Sequence, residues 1–75
     1  MKIDLKRFSE NLYLAAGKKD VTLSEVARRT GISLNTVYKI FDGKKAGRLD
    51  TFLAIANALE TDYSTLLDGV AKDDV

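Results

Sequence analysis

A glycine between two amphipathic segments constrains the fold of this chain more than any other residue. Gly31 separates Leu23–Thr30 from Leu34–Phe41, and both segments carry apolar residues at helical spacing. A glycine at such a point favours a left-handed backbone conformation, in which one helix ends and the chain reverses. The sequence therefore predicts two short helices joined by a tight turn.

The residues that precede each segment are typical of helix starts. Thr22 and Glu25 form a capping box, in which the Thr22 hydroxyl accepts the Glu25 amide and the Glu25 carboxylate reaches back to the Thr22 amide. Ser33 is a suitable N-cap for the second helix, and Gly43 is expected to end it. The inner face of that helix is predicted to comprise Val37, Ile40 and Phe41. Residues 23–42 thus predict a helix-turn-helix, a motif that places its second helix in the DNA major groove.

Composition argues against several other functions. The 75 residues include no cysteine and no histidine, which removes thiolate nucleophiles, the commonest general base and the commonest metal ligand. We therefore predict that the chain is not an enzyme and uses no cofactor or metal. Residues 1–7 have no apolar run, and no segment approaches the roughly 20 apolar residues that span a bilayer. We expect a soluble intracellular domain with no membrane contact.

Charge is distributed unevenly along the chain, although its net value is only +1. Residues 1–48 hold 11 of the 12 Lys and Arg residues and 5 of the 11 Asp and Glu residues, a net charge of +6. Residues 49–75 carry a net charge of −5. Because the basic part contains the helix-turn-helix, this asymmetry favours a surface that faces a polyanion. An uneven distribution that arose by chance is the alternative.

The spacing of the other apolar residues predicts three more helices and no strands, and hence a single all-α domain of five helices over residues 1–75. The first helix runs from about Asp4 to Ala16, and Gly17 is expected to end it. The fourth helix covers about Leu49 to Leu59. Its inner stripe is predicted to comprise Phe52, Leu53, Ala56 and Leu59.

A short fifth helix follows Asp62, which is a suitable N-cap, and ends at Gly69. Residues 70–75 are expected to form a disordered tail. The side chains predicted to face inward from the fifth helix are Tyr63, Leu66 and Leu67.

The stretch from Thr22 to Leu67 resembles the lambda-repressor-like, or Cro/repressor (XRE-type), family of helix-turn-helix regulators. The resemblance is carried by Val26-Ala27, Gly31-Ile32-Ser33, Val37, Ile40, Asp42-Gly43-Lys44 and the tract Leu49–Leu59. It implies a compact five-helix domain that binds double-stranded DNA. It further implies a sequence-specific transcriptional regulator, a repressor of the phage or bacterial type, that acts on a palindromic operator.

The sequence departs from the family pattern at two instructive positions. Many members have a glutamine at the position of Leu23, where it helps to hold a DNA phosphate, and leucine cannot make that contact. Many also have a glutamate at the position of Phe41, paired with an arginine on the first helix. Here we expect apolar packing to replace the ion pair. The predicted partners of Phe41 are Tyr13, Leu14 or Ala16.

By position, the resemblance implies that bases are read from the start of the third helix and from one turn later. Asn35 can pair with adenine, and Lys39 can donate to guanine. Leu34 can contact a thymine methyl group, or alternatively fold back onto the core or a partner chain. Tyr38 can contact a sugar or phosphate, or be an ordinary surface tyrosine. The predicted base-reading residues are Ser33, Leu34, Asn35, Tyr38 and Lys39.

Phosphate contacts are expected from basic and hydroxyl side chains around the helix-turn-helix. Lys44 and Lys45 follow the third helix directly, so they are expected to flank the groove. The predicted phosphate-binding residues are Thr22, Arg28, Arg29, Thr36, Lys44, Lys45 and Arg48.

One domain of this size inserts only one short helix, so high specificity usually needs two copies on a palindromic site. We therefore expect a homodimer. For Leu66, ordinary core packing is the alternative assignment. The candidate dimer surface comprises Tyr63, Leu66, Leu67 and Val70.

Two other functions stay open at this stage. Many antitoxins resemble this family, so the chain can be the antitoxin of a toxin–antitoxin pair, with a toxin as its partner. It can also be a protein-interaction module that has lost DNA binding, which Leu23 and Leu34 near the expected DNA face would favour. As a regulator, it is expected to be bacterial or phage-encoded, cytoplasmic and associated with the nucleoid.

Overall fold

The computed structural model describes residues 1–72, which form five helices and two short strands. The five helices confirm the predicted fold class, and α2 and α3 have the predicted bounds. In chain order the elements are β1 (Lys2–Ile3), α1 (Leu5–Lys18), α2 (Leu23–Thr30), α3 (Leu34–Phe41), α4 (Leu49–Ala58), α5 (Tyr63–Leu67) and β2 (Ala71–Lys72).

The hydrophobic core is made by all five helices together. The inner face of α3 lies at its centre, with Val37, Ile40 and Phe41 at most 1% exposed, as predicted. Burial of three such side chains is a large term for so short a chain, since each contributes about 1.5–3 kcal/mol. The other large side chains that are fully buried are Leu12, Val26, Ile55, Leu59 and Leu66.

The turn between α2 and α3 forms as its sequence predicts. Gly31 has a φ of 75°, and its amide donates to the Ala27 carbonyl at 2.9 Å. The Thr22 hydroxyl accepts the Glu25 amide at 3.1 Å and caps α2. The reciprocal half of the capping box is replaced, because the Glu25 carboxylate binds the Arg28 guanidinium instead.

Helix α1 is longer than predicted. It continues through Gly17 to Lys18, and the chain reverses at Asp20, which has a φ of 55°. Glycine inside a helix costs only about 1 kcal/mol relative to alanine, so the helix tolerates it where the following residues complete the last turn. The amide of Val21 does so by donating to the Ala16 carbonyl at 2.9 Å.

The predictions of no strands and of a disordered tail from residue 70 are wrong for the residues that the structure describes. β1 and β2 pair antiparallel, with Lys2 opposite Lys72. Val70 is buried, and its carbonyl accepts the Asp4 amide at 2.7 Å. The Asp4 carboxylate caps α1 and also binds the Lys72 ammonium at 2.8 Å. The rest of the predicted tail, residues 73–75, lies outside the described residues.

The predicted inward faces of α4 and α5 need correction. Leu53 is 37% exposed, whereas Ile55, which the prediction omitted, is fully buried. In α5 only Leu66 is buried, and Tyr63 and Leu67 are about half exposed. A five-residue helix has too few turns to define a face by spacing alone, so its burial follows from its contacts with the rest of the fold.

Three glycine-to-alanine substitutions are expected to have different effects on the free energy of unfolding. Gly17→Ala should stabilise by about 0.5–1 kcal/mol, because Gly17 is helical and a Cβ would meet nothing within 4 Å. Gly31→Ala should destabilise by about 1–2 kcal/mol through its left-handed backbone alone. Gly43→Ala should cost more, because a Cβ would also lie 3.0 Å from the Leu5 carbonyl oxygen. Urea denaturation measures all three, and equal costs for Gly31→Ala and Gly43→Ala would contradict the last expectation.

Candidate nucleic-acid interface

The outward face of α3 carries the five side chains that the sequence predicts to read bases. Since Val37, Ile40 and Phe41 occupy the core, the residues between and before them are directed to solvent. Leu34 is 38% exposed and is not part of the core cluster, so it does not fold back into the domain. The five exposed residues are Ser33, Leu34, Asn35, Tyr38 and Lys39.

The amino end of α3 is fixed by two hydroxyl side chains. The Ser33 hydroxyl accepts the Thr36 amide at 3.2 Å and donates to the Thr36 hydroxyl at 2.9 Å. The Ser33 hydroxyl is therefore engaged within the cap. Its donation leaves the proton of the Thr36 hydroxyl available to another acceptor.

The predicted phosphate-binding arginines differ in their local partners. Arg28 forms an ion pair with Glu25, and Arg48 forms one with Asp50 at 2.8 Å. All four of these side chains are at least partly exposed. Arg28 holds the pKa of Glu25 below its ordinary value, and Arg48 does the same for the pKa of Asp50. Both carboxylates are thus ionised near neutral pH. An incoming phosphate would have to compete with them for the guanidinium groups.

Arg29 has a different role from the one that the sequence suggests. Its guanidinium donates to the Ala58 carbonyl at 2.9 Å in a half-buried contact. Ala58 is the last residue of α4, where carbonyl groups lack helical partners. Arg29 therefore ties α2 to the end of α4. A contact between residues so distant in sequence leaves no local pattern from which it could be predicted.

Lys44 and Lys45 are exposed and make no ion pair among residues 1–72. They directly follow Gly43, which has a φ of 75°, and the Lys44 amide donates to the Lys39 carbonyl at 3.0 Å. These two ammonium groups are therefore exposed basic charges in the turn that follows α3, and no carboxylate among residues 1–72 neutralises them.

The structure adds residues of α1 to this part of the molecule. The Tyr13 hydroxyl donates to the Asp42 carboxylate at 2.7 Å, and the Tyr13 ring meets the Phe41 ring edge-on. The predicted packing of Phe41 on Tyr13 is thus confirmed, whereas Leu14 is 63% exposed and is directed elsewhere. Leu23 is half-buried and packs against the core, which accounts for a leucine at the start of α2.

The candidate dimer surface is only partly exposed. Leu66 is fully buried in the core of the single chain, so its assignment to the interface is wrong, whereas Val70 is 4% exposed and lines an apolar groove. Tyr63 and Leu67 are exposed. Leu67 lies in this groove, between the amino terminus and the start of α4. The other large apolar side chains that line it are Ile3, Phe8, Leu49, Phe52 and Val70.

Residues 1–72 contain no helix that is long and apolar enough to cross a membrane. Within that same range, no three potential metal-ligating side chains are grouped together.

The fold and the exposed face of α3 define a helix-turn-helix domain. Residues 11–72 match the family model of the Cro/C1-type HTH DNA-binding domain. The match spans most of the chain, and the chain therefore belongs to this family of DNA-binding domains. Comparisons with curated proteins and with solved structures gave no match.

Proposed function

We propose that the chain is a sequence-specific transcriptional repressor that binds a palindromic operator as a homodimer, with α3 in the major groove. The observation that carries the proposal is the division of α3 into two faces. Its apolar face is fully buried, whereas Asn35 and Lys39 are exposed one turn apart on the other. An anchored helix with an exposed polar face is what direct readout of base edges requires.

The exposed face of α3 offers a distinct chemistry at each position. Asn35 can pair bidentately with adenine, and Lys39 can donate to guanine O6 or N7. Leu34 suits the methyl group of thymine, and the hydroxyl of Tyr38 suits a phosphate or sugar. Such a protein would act in the cytoplasm, on the nucleoid of a bacterium or on phage DNA.

The first experiment selects bound sequences from a randomised duplex pool at two salt concentrations. Recovery of a palindrome with half-sites about one helical turn apart is the expected result. Salt-sensitive retention with no enriched sequence would contradict sequence specificity. Absence of binding at low salt would contradict the whole proposal and favour a protein-interaction module. The exposed Leu34 is the residue that favours such a module, since Leu23 packs on the core.

Asn35→Ala should weaken binding to the selected site by about 1–3 kcal/mol and relax the preference at one base pair of each half-site. The matched control is Asn57→Ala, because Asn57 is also an exposed helical asparagine but lies on α4. Fluorescence anisotropy on the selected site and on single-base variants measures both effects. Equal losses for both variants, or an unchanged base preference in Asn35→Ala, would argue against base readout by Asn35.

Lys44→Ala and Lys45→Ala should weaken binding to all duplexes alike. If each lysine neutralises one phosphate, each substitution should lower the slope of log K against log salt by about 0.9. Lys18→Ala is the control, since Lys18 lies in a groove beside α5 with Thr61 and Asp62. A slope that falls equally in the control would show that the effect reflects general charge and not a contact.

The homodimer is proposed to form through the apolar groove beside Leu67, which revises the predicted surface by removing Leu66 and adding Ile3 and Leu49, while Val70 lines the groove. Ile3 and Leu49 are 51% and 73% exposed. Apolar side chains that are exposed together on a small domain favour an association surface. The five proposed interface residues are Ile3, Leu49, Tyr63, Leu67 and Val70.

Leu67→Asp should convert the dimer into a monomer, because it would bury a carboxylate in an apolar interface. Leu14→Asp is the matched control, since Leu14 is an exposed leucine outside that groove. Light scattering gives the molar mass of each variant. A wild-type monomer bound to its site, or a dimer that persists in Leu67→Asp, would rule out this interface.

A further inference from the structure

One face of α1 contacts the carboxyl end of α3 at three successive points. The face comprises Leu5, Ser9 and Tyr13, which are four residues apart and therefore lie on one side of the helix. The Ser9 hydroxyl donates to the carbonyl of Phe41, the last residue of α3. We refer to Leu5, Ser9 and Tyr13 as the α1 contact face.

The other two contacts involve the residues that follow α3. The Tyr13 hydroxyl donates to a carboxylate oxygen of Asp42 at 2.7 Å. The Leu5 carbonyl approaches Gly43 so closely that a Cβ there would lie 3.0 Å from its oxygen. The α1 contact face thus meets three consecutive residues at the point where α3 ends and the chain turns towards Lys44.

Tyr13 makes two kinds of contact at this point. Its ring lies 5.4 Å from the Phe41 ring at 78°, an edge-to-face packing with a fully buried partner. Its hydroxyl holds the carboxylate of Asp42, the C-cap residue of α3, whose own amide donates to the Tyr38 carbonyl at 2.9 Å. The hydrogen bond to Asp42 raises the pKa of Tyr13 above its ordinary value, because the carboxylate accepts the phenol proton and disfavours its loss.

We infer that Tyr13 is a positioning residue for DNA binding: through Asp42 it fixes the carboxyl end of α3, and with it the direction of Lys44 and Lys45. This inference rests on the proposed function, since it assigns a role in DNA binding to a residue of α1. The hydroxyl makes its hydrogen bond in an exposed contact. Its removal should therefore alter where the two lysines point more than whether the domain folds.

The test replaces the hydroxyl and retains the ring. Tyr13→Phe should weaken binding to a duplex that the wild-type domain retains by about 2- to 10-fold, as expected for one lost hydrogen bond. It should also lower the slope of log K against log salt by about 1, because a lysine that is no longer held in place loses its phosphate. Ser64→Ala is the control, since Ser64 is an exposed hydroxyl residue on α5 that does not line the apolar groove, and it should change neither quantity.

A second variant separates the hydrogen bond from other effects of the tyrosine. Asp42→Ala removes the acceptor, so Tyr13→Phe introduced into Asp42→Ala should cause no further loss of affinity. Amide hydrogen exchange at Gly43 and Lys44, measured without DNA, should be faster in Tyr13→Phe and in Asp42→Ala than in the wild type.

The possible outcomes distinguish this inference from the proposed function. If the wild type binds DNA and Tyr13→Phe binds with the same affinity and slope, the inference is overturned and the proposed function stands. A loss of affinity with an unchanged slope, or one that is equally large in the Asp42→Ala background, also overturns it, because the effect is then not transmitted to the lysines through Asp42. If the wild type binds no duplex, both fail.

Discussion

The rest of this structure depends on the burial of one face of α3. Val37, Ile40 and Phe41 belong to a core cluster to which every helix contributes, and α1 and α2 pack directly on α3, so α3 has a fixed orientation in the domain. Because side chains on a helix have fixed angular relations, the same burial determines that Asn35 and Lys39 are exposed. The candidate interface is thus a consequence of how the core is filled, and a change in core packing that rotated α3 would redirect its exposed side chains.

A second constraint joins the first helix, α1, to the last helix, α5. Asn11 is a buried polar residue, and its amide donates to the carbonyls of Leu66 and Asp68, both at 2.9 Å. These bonds satisfy carbonyl groups at the end of α5, a helix too short to be stable without contacts to other elements. Arg7 adds a hydrogen bond to the Asp68 carbonyl, so α1 supports both the end of α5 and, on another face, the end of α3. The long first helix therefore supports the ends of two short helices, α3 and α5.

The parts of the fold that could be predicted from sequence are those that local chemistry determines. The bounds of α2 and α3 followed from Thr22, Gly31 and Ser33, each of which acts on residues within a few positions of itself. The pairing of β1 with β2 could not be predicted, because two-residue strands have no periodicity and their partners lie at opposite ends of the sequence. The same holds at the candidate site, where the exposed residues of α3 follow from helical spacing but the contacts of Arg29 with Ala58 and of Tyr13 with Asp42 are long-range.

These long-range contacts change how the basic charge of residues 1–48 should be interpreted. An exposed ion pair contributes only about 0–1 kcal/mol, so Arg28 and Arg48 can exchange their carboxylate partners for a phosphate at little cost. Arg29 differs, because to leave Ala58 it would have to uncover a half-buried carbonyl at the end of α4. Among the arginines of residues 1–48, Arg28 and Arg48 are therefore available to a phosphate, whereas Arg7 and Arg29 donate to backbone carbonyls and support the scaffold. Charge counted along the sequence does not separate the two groups, whereas the partner of each guanidinium does.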